Sequence, residues 1–209
     1  MRKRFAKLLI YFFLACVLLI VTGTGAIYLY RNRNAEVILP KEEITYSDPV
    51  AFFQQDERWK DDNLGDSKYK MGDSGCLTTC LTSMVIMQNI TVSELDEITP
   101  KTLNAYFSEN GVYDSEGDLD WIKAGNVLGV EFTRREPSEL SENEVDDMLK
   151  NAVYPIVCVR TDNGNYHFVL IVGSDESNYL CMDPMNEDGE ITPLSKFDDK
   201  IYSVRYSEE

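Results

Sequence analysis

Residues 71–89 read MGDSGCLTTCLTSMVIMQN, and residues 166–183 read YHFVLIVGSDESNYLCMD. In the first stretch Leu77, Cys80, Leu81, Met84 and Val85 recur at 3.6-residue spacing, with Gln88 as the one polar exception. That pattern predicts an amphipathic helix beginning close to Gly75-Cys76. In the second stretch the period changes. Two β-rich runs, YHFVLIVG and YLCMD, flank the turn residues Asp175 to Asn178 and predict a hairpin. Working outward, Thr99-Pro100 followed by LNAYFSEN and Gly111 has the N-cap, N1 proline and C-terminal glycine of a helix. Ser141-x-x-Glu144 is a capping box opening EVDDMLKNA, and a helix is expected around Trp121 to Leu128. Further β-rich runs, YPIVCVR from Tyr154 and IYSVRY from Ile201, are set off by Asp162-Asn163-Gly164-Asn165 and Glu187-Asp188-Gly189. Helices first and an antiparallel sheet last define the α+β class.

With 209 residues, 44% of them hydrophobic, the chain suffices for one globular domain with an appendage. Residues 8–30, LLIYFFLACVLLIVTGTGAIYLY, carry no charge. As a helix they would be about 34 Å long, enough to cross a bilayer core of roughly 30 Å. Arg2, Lys3, Arg4 and Lys7 precede the run and only Arg31 and Arg33 follow it, which keeps the N-terminus on the cytoplasmic side. The expected organisation is therefore a cytoplasmic stretch over 1–7, a transmembrane signal-anchor helix over 8–30, a polar tether over 31–50 with Pro40 and Pro49, and a domain over 51–209. This places the domain outside the cytoplasm on a single-pass anchor in the cell membrane. A cleaved secretory signal is the rival, since Thr24-Gly25-Ala26 loosely resembles a cleavage site, but the apolar run exceeds the usual h-region. All 36 acidic residues but only 14 of the 20 basic ones follow position 34, a net −22. Such a surface repels nucleic acid and anionic headgroups, and neither is expected as a partner.

His167 is the single histidine. With no second histidine, CxxC or HExxH, no metal or cofactor is expected, and His167 is either a base or a half-buried strand residue with satisfied ring nitrogens. Cys76 favours the base, because the free N–H groups of a first helical turn favour a thiolate there. Gly75 would let a substrate backbone approach. Cys80 lies on the apolar stripe and reads as packing. A bridge between Cys76 and Cys80, at i and i+4, would be strained, whereas Cys158 and Cys181 could pair. Gly72-Asp73-Ser74-Gly75 imitates the GDSG of trypsin-like serine proteases, but the only histidine lies downstream instead of upstream. For Asp183, a turn centred on Glu176 would pair position i with about 352 − i, setting Asp183 opposite Val169 and diagonal to His167 on one face. Asp183 is otherwise an ordinary turn-initiating Asp-Pro. An acyl transfer would also need an amide donor beside the Cys76 N–H, for which Gln54 and Gln55 in FFQQDERW, residues 52–59, are candidates.

Taken together, FFQQDERW followed by LG, then MGDSGCLTTCLTSMV, YHFVLIVG and YLCMDP resemble family thirty-nine of the cysteine peptidases. That is the bacteriocin double-glycine-leader peptidase group of the papain-like clan, and the likeness is greatest to its stand-alone members outside the exporting transporters. The resemblance covers roughly residues 50 to 185. It implies a papain-like fold and hydrolysis of a peptide or protein substrate through an acyl-thioester. By that family's pattern the glutamine two before Asp56 and five before Trp59 is Gln54, leaving Gln55 a bystander. The nucleophile maps to Cys76, the base to His167 and the orienting carboxylate to Asp183. No transporter domain accompanies the sequence, so leader cleavage is not implied, and Cys80 stands where a small residue is expected. Two other readings compete. An NlpC-type cell-wall amidopeptidase would usually show Asp-Cys-Ser-Gly at the nucleophile, where this chain has Ser-Gly-Cys-Leu. A catalytically silent module would bind a peptide or protein in the same cleft.

Overall fold

The computed structural model describes residues 13, 16–25, 33, 35–45 and 49–208. The chain divides into two units, Met1–Ala35 and Glu36–Glu209. In the first, residues 16–25 are helical (α1), and Leu18, Leu19, Ile20 and Val21 are exposed. The hydroxyls of Thr22 and Thr24 bond back to the carbonyls of Leu18 and Ile20, at 2.9 Å each. Most of the remainder of the expected span, and all of the cytoplasmic stretch, lie outside the described residues. Among the described residues no helix is long and apolar enough to cross a membrane.

The second unit carries strands β1 (Glu36–Val37), β2 (Glu131–Arg135), β3 (Ile156–Arg160), β4 (Tyr166–Ser174), β5 (Tyr179–Met182), β6 (Thr192–Pro193), β7 (Lys200–Ile201) and β8 (Ser203–Glu208). Its helices are α2 (Met71–Ser74), α3 (Cys76–Met87), α4 (Pro100–Glu109), α5 (Trp121–Leu128) and α6 (Glu144–Lys150). Six strands form one sheet in the order β2-β8-β3-β4-β5-β6, with every pairing antiparallel. This is an α+β architecture. Period-two alternation along β4 divides the interior. Leu170 and Val172 join Cys80, Leu81, Met84 and Val85 of α3 in one core. Val169 and Ile171 join Val157, Val159, Leu194 and Phe197 in a second.

Local chemistry explains the helix starts. Thr99 accepts the Thr102 N–H at 3.2 Å ahead of Pro100. Asp120 caps α5, accepting from Ile122 and Lys123, and Gly129 closes it at φ 70. The box expected at Ser141 forms by half. Glu144 accepts the Ser141 N–H at 3.0 Å, but Asn143 is the N-cap and provides no side-chain cap.

Two features depart from the sequence reading. Strand β2 is polar, EFTRR, and carries no period-two signal. It is held by backbone pairing to β8 and by Phe132 edge-on to Trp121 at 5.1 Å. The tether expected over 31–50 is in part a strap along the domain. Glu36 and Val37 pair with β7, Ile44 bridges Ser174, and the Lys41 N–H donates to the buried Asp146 at 2.9 Å. Each contact joins residues more than a hundred positions apart, a distance over which local composition carries no signal.

The β4–β5 hairpin fixes the geometry of the site. Its turn runs from Asp175 to Asn178, closed by an Asp175 N–H to Asn178 carbonyl bond of 2.9 Å. The tip pairs are Ser174 with Tyr179 and Gly173 with Leu180, so the turn is centred half a residue beyond Glu176. An irregularity between Ile171 and Gly173 then inserts one residue, and the pairs below it are Ile171 with Cys181 and Leu170 with Met182. A bulge that puts two residues against one shifts the register by one. It restores the register expected from a turn on Glu176 and puts Asp183 diagonal to His167.

Candidate active site

The helix α3 begins at Cys76 without a side-chain cap, since its N-cap is Gly75. Gly75 is required by the chain's own packing. A Cβ there would lie 2.5 Å from the Met71 carbonyl oxygen and 2.8 Å from its sulfur. Only glycine lets α2 turn directly into α3, and that turn sets Cys76, half-buried, at the helix start.

His167 is the second residue of β4 and lies opposite Val159. It is 5% exposed. Its Nε2 meets Asp183 Oδ1 at 2.8 Å, and Cys76 is near enough to act on its titration. With Nε2 engaged by the carboxylate, Nδ1 is the ring nitrogen left for the thiol. The Phe197 ring lies 6.2 Å from the imidazole. Burial pulls the His167 pKa down, but hydrogen bonds to Asp183 and Cys76 outweigh it and push the value up to about 9.

Asp183 is 3% exposed and both its oxygens are occupied. Oδ1 also accepts the Met185 N–H at 2.9 Å, and Oδ2 accepts from Lys196 Nζ at 2.8 Å. Burial raises its pKa, but hydrogen bonds from His167 and Lys196 more than offset that and hold it near 2. Lys196 was invisible to sequence reasoning. It sits in FDDK-flanking polar sequence, thirteen residues past the carboxylate, with no motif around it.

Gln54 is 3% exposed, positioned by a loop that Trp59 anchors in the core, its indole N–H donating to the Phe53 carbonyl at 3.0 Å. The Gln54 backbone N–H donates to the Pro184 carbonyl at 2.9 Å, tying the loop to the residue after Asp183. Its Nε2 donates to the Gly72 carbonyl at 2.9 Å, and its Oε1 is buried with no partner among the described residues. Gln55 is exposed. A cavity of about 820 Å³ lies beside this loop, lined among others by Phe53, Gln55, Asp56, Gly72, Asp73 and Glu187. It adjoins the site at Gly72, and neither Cys76 nor His167 lines it.

The geometry thus joins His167 to Asp183, sets Cys76 close to His167, and brings Gln54 against the segments bearing Cys76 and Asp183. The other cysteines stand apart from that set. Cys80 is fully buried with its thiol toward the Phe168 carbonyl at 3.4 Å, and burial pushes its pKa well up. The bridge considered between Cys158 and Cys181 is not formed, since both are free thiols. They lie on β3 and β5, with β4 between them.

No protein-family model matches the chain, and no curated protein does. Among solved structures the chain is similar to a crystal structure from Bacillus anthracis provisionally described as a C39-like peptidase. The identity is 14% and the TM-score 0.49, over 80% of this chain and 99% of that one.

Proposed function

We propose that this chain is a cysteine peptidase of papain-like fold that hydrolyses peptide bonds through Cys76, His167 and Asp183. The observation carrying the proposal is that the only histidine in the sequence is buried between a carboxylate and a cysteine at a helix start. In this reading the proton of the thiol rests on His167, leaving a thiolate, and Asp183 holds the imidazolium by Nε2. The thiolate attacks the substrate carbonyl carbon, and the oxyanion is met by the Cys76 N–H and by the second hydrogen of Gln54 Nε2, the first being bonded to Gly72. Nδ1–H of His167 protonates the leaving amine, and an acyl-thioester forms. Water then attacks the thioester carbonyl as His167 takes its proton, and the C–S bond breaks, which releases the acid and restores the thiolate–imidazolium pair. No cofactor or metal enters this scheme.

The N-terminal segment serves as a single-pass membrane anchor, with the catalytic unit outside the cytoplasm. The exposed apolar side chains of α1 and the threonine hydroxyls bonded back to their own helix suit a lipid environment.

Alkylation of each cysteine of the purified full-length chain by iodoacetamide, mapped by mass spectrometry from pH 4 to 9, tests the core of this reading. Cys76 is expected to react at acidic pH, where a free thiol of pKa about 8.5 is nearly inert, and His167→Ala should remove that advantage. If Cys76 reacts only as an ordinary thiol, the peptidase reading fails and a peptide- or protein-binding module takes its place.

A further inference from the structure

The Asp183 carboxylate has a partner that the catalytic scheme does not use. Lys196 lies in the 3-10 turn Leu194–Phe197, which follows β6 directly. Leu194 and Phe197 of that turn are buried in the second core, so its backbone is fixed from below. Two consecutive residues of the turn then reach the two buried groups. Phe197 places its ring against the His167 imidazole, and Lys196 donates to Asp183 Oδ2. The turn is closed by Asp198 at φ 59 and Asp199 at φ 55, left-handed conformations that non-glycine residues keep only where the surroundings impose them.

We propose that Lys196 is a positioning residue for this site, holding the outer oxygen of Asp183 so that the inner oxygen stays on His167 Nε2. The proposal rests on the peptidase reading above. Its physical basis is orientation and charge. Without Lys196, Oδ2 would have no side-chain donor among the described residues, and the carboxylate could rotate to offer either oxygen to the imidazole. The reactive form would hold a thiolate, an imidazolium and a carboxylate, a net negative charge in a mostly buried place, which is unfavourable unless compensated. The ammonium makes the set neutral. Because Asp183 is buried while the lysine side chain is half-exposed, this pair escapes most of the solvent screening that makes ordinary surface ion pairs weak.

The groups facing Asp183 are His167 from β4, Lys196 from the 3-10 turn, and the thiols of Cys181 on β5 and Cys80 on α3, both of which feel its charge. Among these Lys196 alone is a half-exposed cation and can be altered without opening the core. The experiment measures the pH profile of Cys76 alkylation in full-length wild type, Lys196→Met and Lys196→Arg, with thermal unfolding of each. Lys196→Met is expected to slow Cys76 alkylation at pH 5 by about tenfold and to move the acid edge up by about one pH unit. The unfolding temperature should fall by only a few degrees, as for a pair with one half-exposed partner, and Lys196→Arg should keep the wild-type edge. If wild type has an acid edge and Lys196→Met leaves it in place, or lowers reactivity equally at every pH together with the unfolding temperature, the positioning role is overturned while the peptidase reading stands. If wild type shows no reactivity at acidic pH, that reading falls and takes this proposal with it.

Discussion

The helical and sheet sides of the site are built on opposite terms. On the helical side Cys76 is half-buried at an uncapped helix start, and Gln54 keeps a buried amide oxygen without a partner among the described residues. On the sheet side His167 and Asp183 are buried, and the carboxylate receives three contacts, one each from His167, the Met185 N–H and Lys196, with the hairpin register holding the first of these. The lesson is a division of labour. The sheet side holds fixed charge that needs no rearrangement during a reaction, and the helical side keeps the open valences that a substrate would fill.

The strongest way to break this division is to disable the sheet side while sparing the helix. Asp183→Asn keeps the shape but removes the charge that sets the imidazole tautomer. Peptide turnover is expected to fall by about 10²–10⁴-fold, in line with the loss of an orienting carboxylate elsewhere. The same variant tests the electrostatics through stability. The His167 pKa is raised in the folded state, so its contribution is fully present below about 6.5 and is lost as pH rises through about 9. The Asp183 pKa is depressed, so its contribution is present above its ordinary value of 3.8 and is lost as pH falls through about 2. Urea unfolding of wild type and Asp183→Asn should therefore differ most between about pH 4 and 6.5, and the gap should narrow above pH 9. A gap independent of pH would show that the pair is not charged as described.

Gln54→Ala attacks the helical side instead. Loss of one oxyanion donor is expected to lower kcat by about 10²–10³-fold. The pH profile of Cys76 alkylation should not move, because no developing oxyanion is present in that reaction. If Gln54→Ala shifts the alkylation edge as Asp183→Asn does, the two sides are not separable and Gln54 acts by holding the Gly72 and Pro184 segments together.

This comparison also explains what the sequence made legible. The start of α3 is local, so the spacing of Leu77, Leu81 and Met84 with the glycine before Cys76 was enough to find it. Gly75 has a second reason to be glycine that local sequence does not carry, since the Met71 carbonyl that a Cβ would meet is brought there by folding. The register that sets Asp183 beside His167 was reached from a turn centre displaced by half a residue, and the bulge near Val172 made up the difference. Sequence carries hairpin turns through their Asp and Asn residues, but a bulge among Val and Ile residues leaves no mark. Lys196, strand β2 and the strap over residues 36–44 were illegible for a common reason. Each is held by contacts distant in sequence, and none disturbs a local pattern.

The smallest effect sharpens the comparison within α3 itself. Cys80 lies one helical turn beyond Cys76, carries the same functional group, and is fully buried with its thiol toward the Phe168 carbonyl. Its burial favours the neutral thiol, so it should resist iodoacetamide across pH 4 to 9 in the native chain. Cys80→Ala removes one buried sulfur and is expected to cost about 1 kcal/mol of stability, read by urea unfolding. Cys76 should keep its pH profile within about twofold, because a neutral neighbour contributes packing and little field. A large change in the Cys76 profile would mean that the second thiol shares the proton of the first. The contrast between the two turns of α3 would then be one of coupling and not of environment.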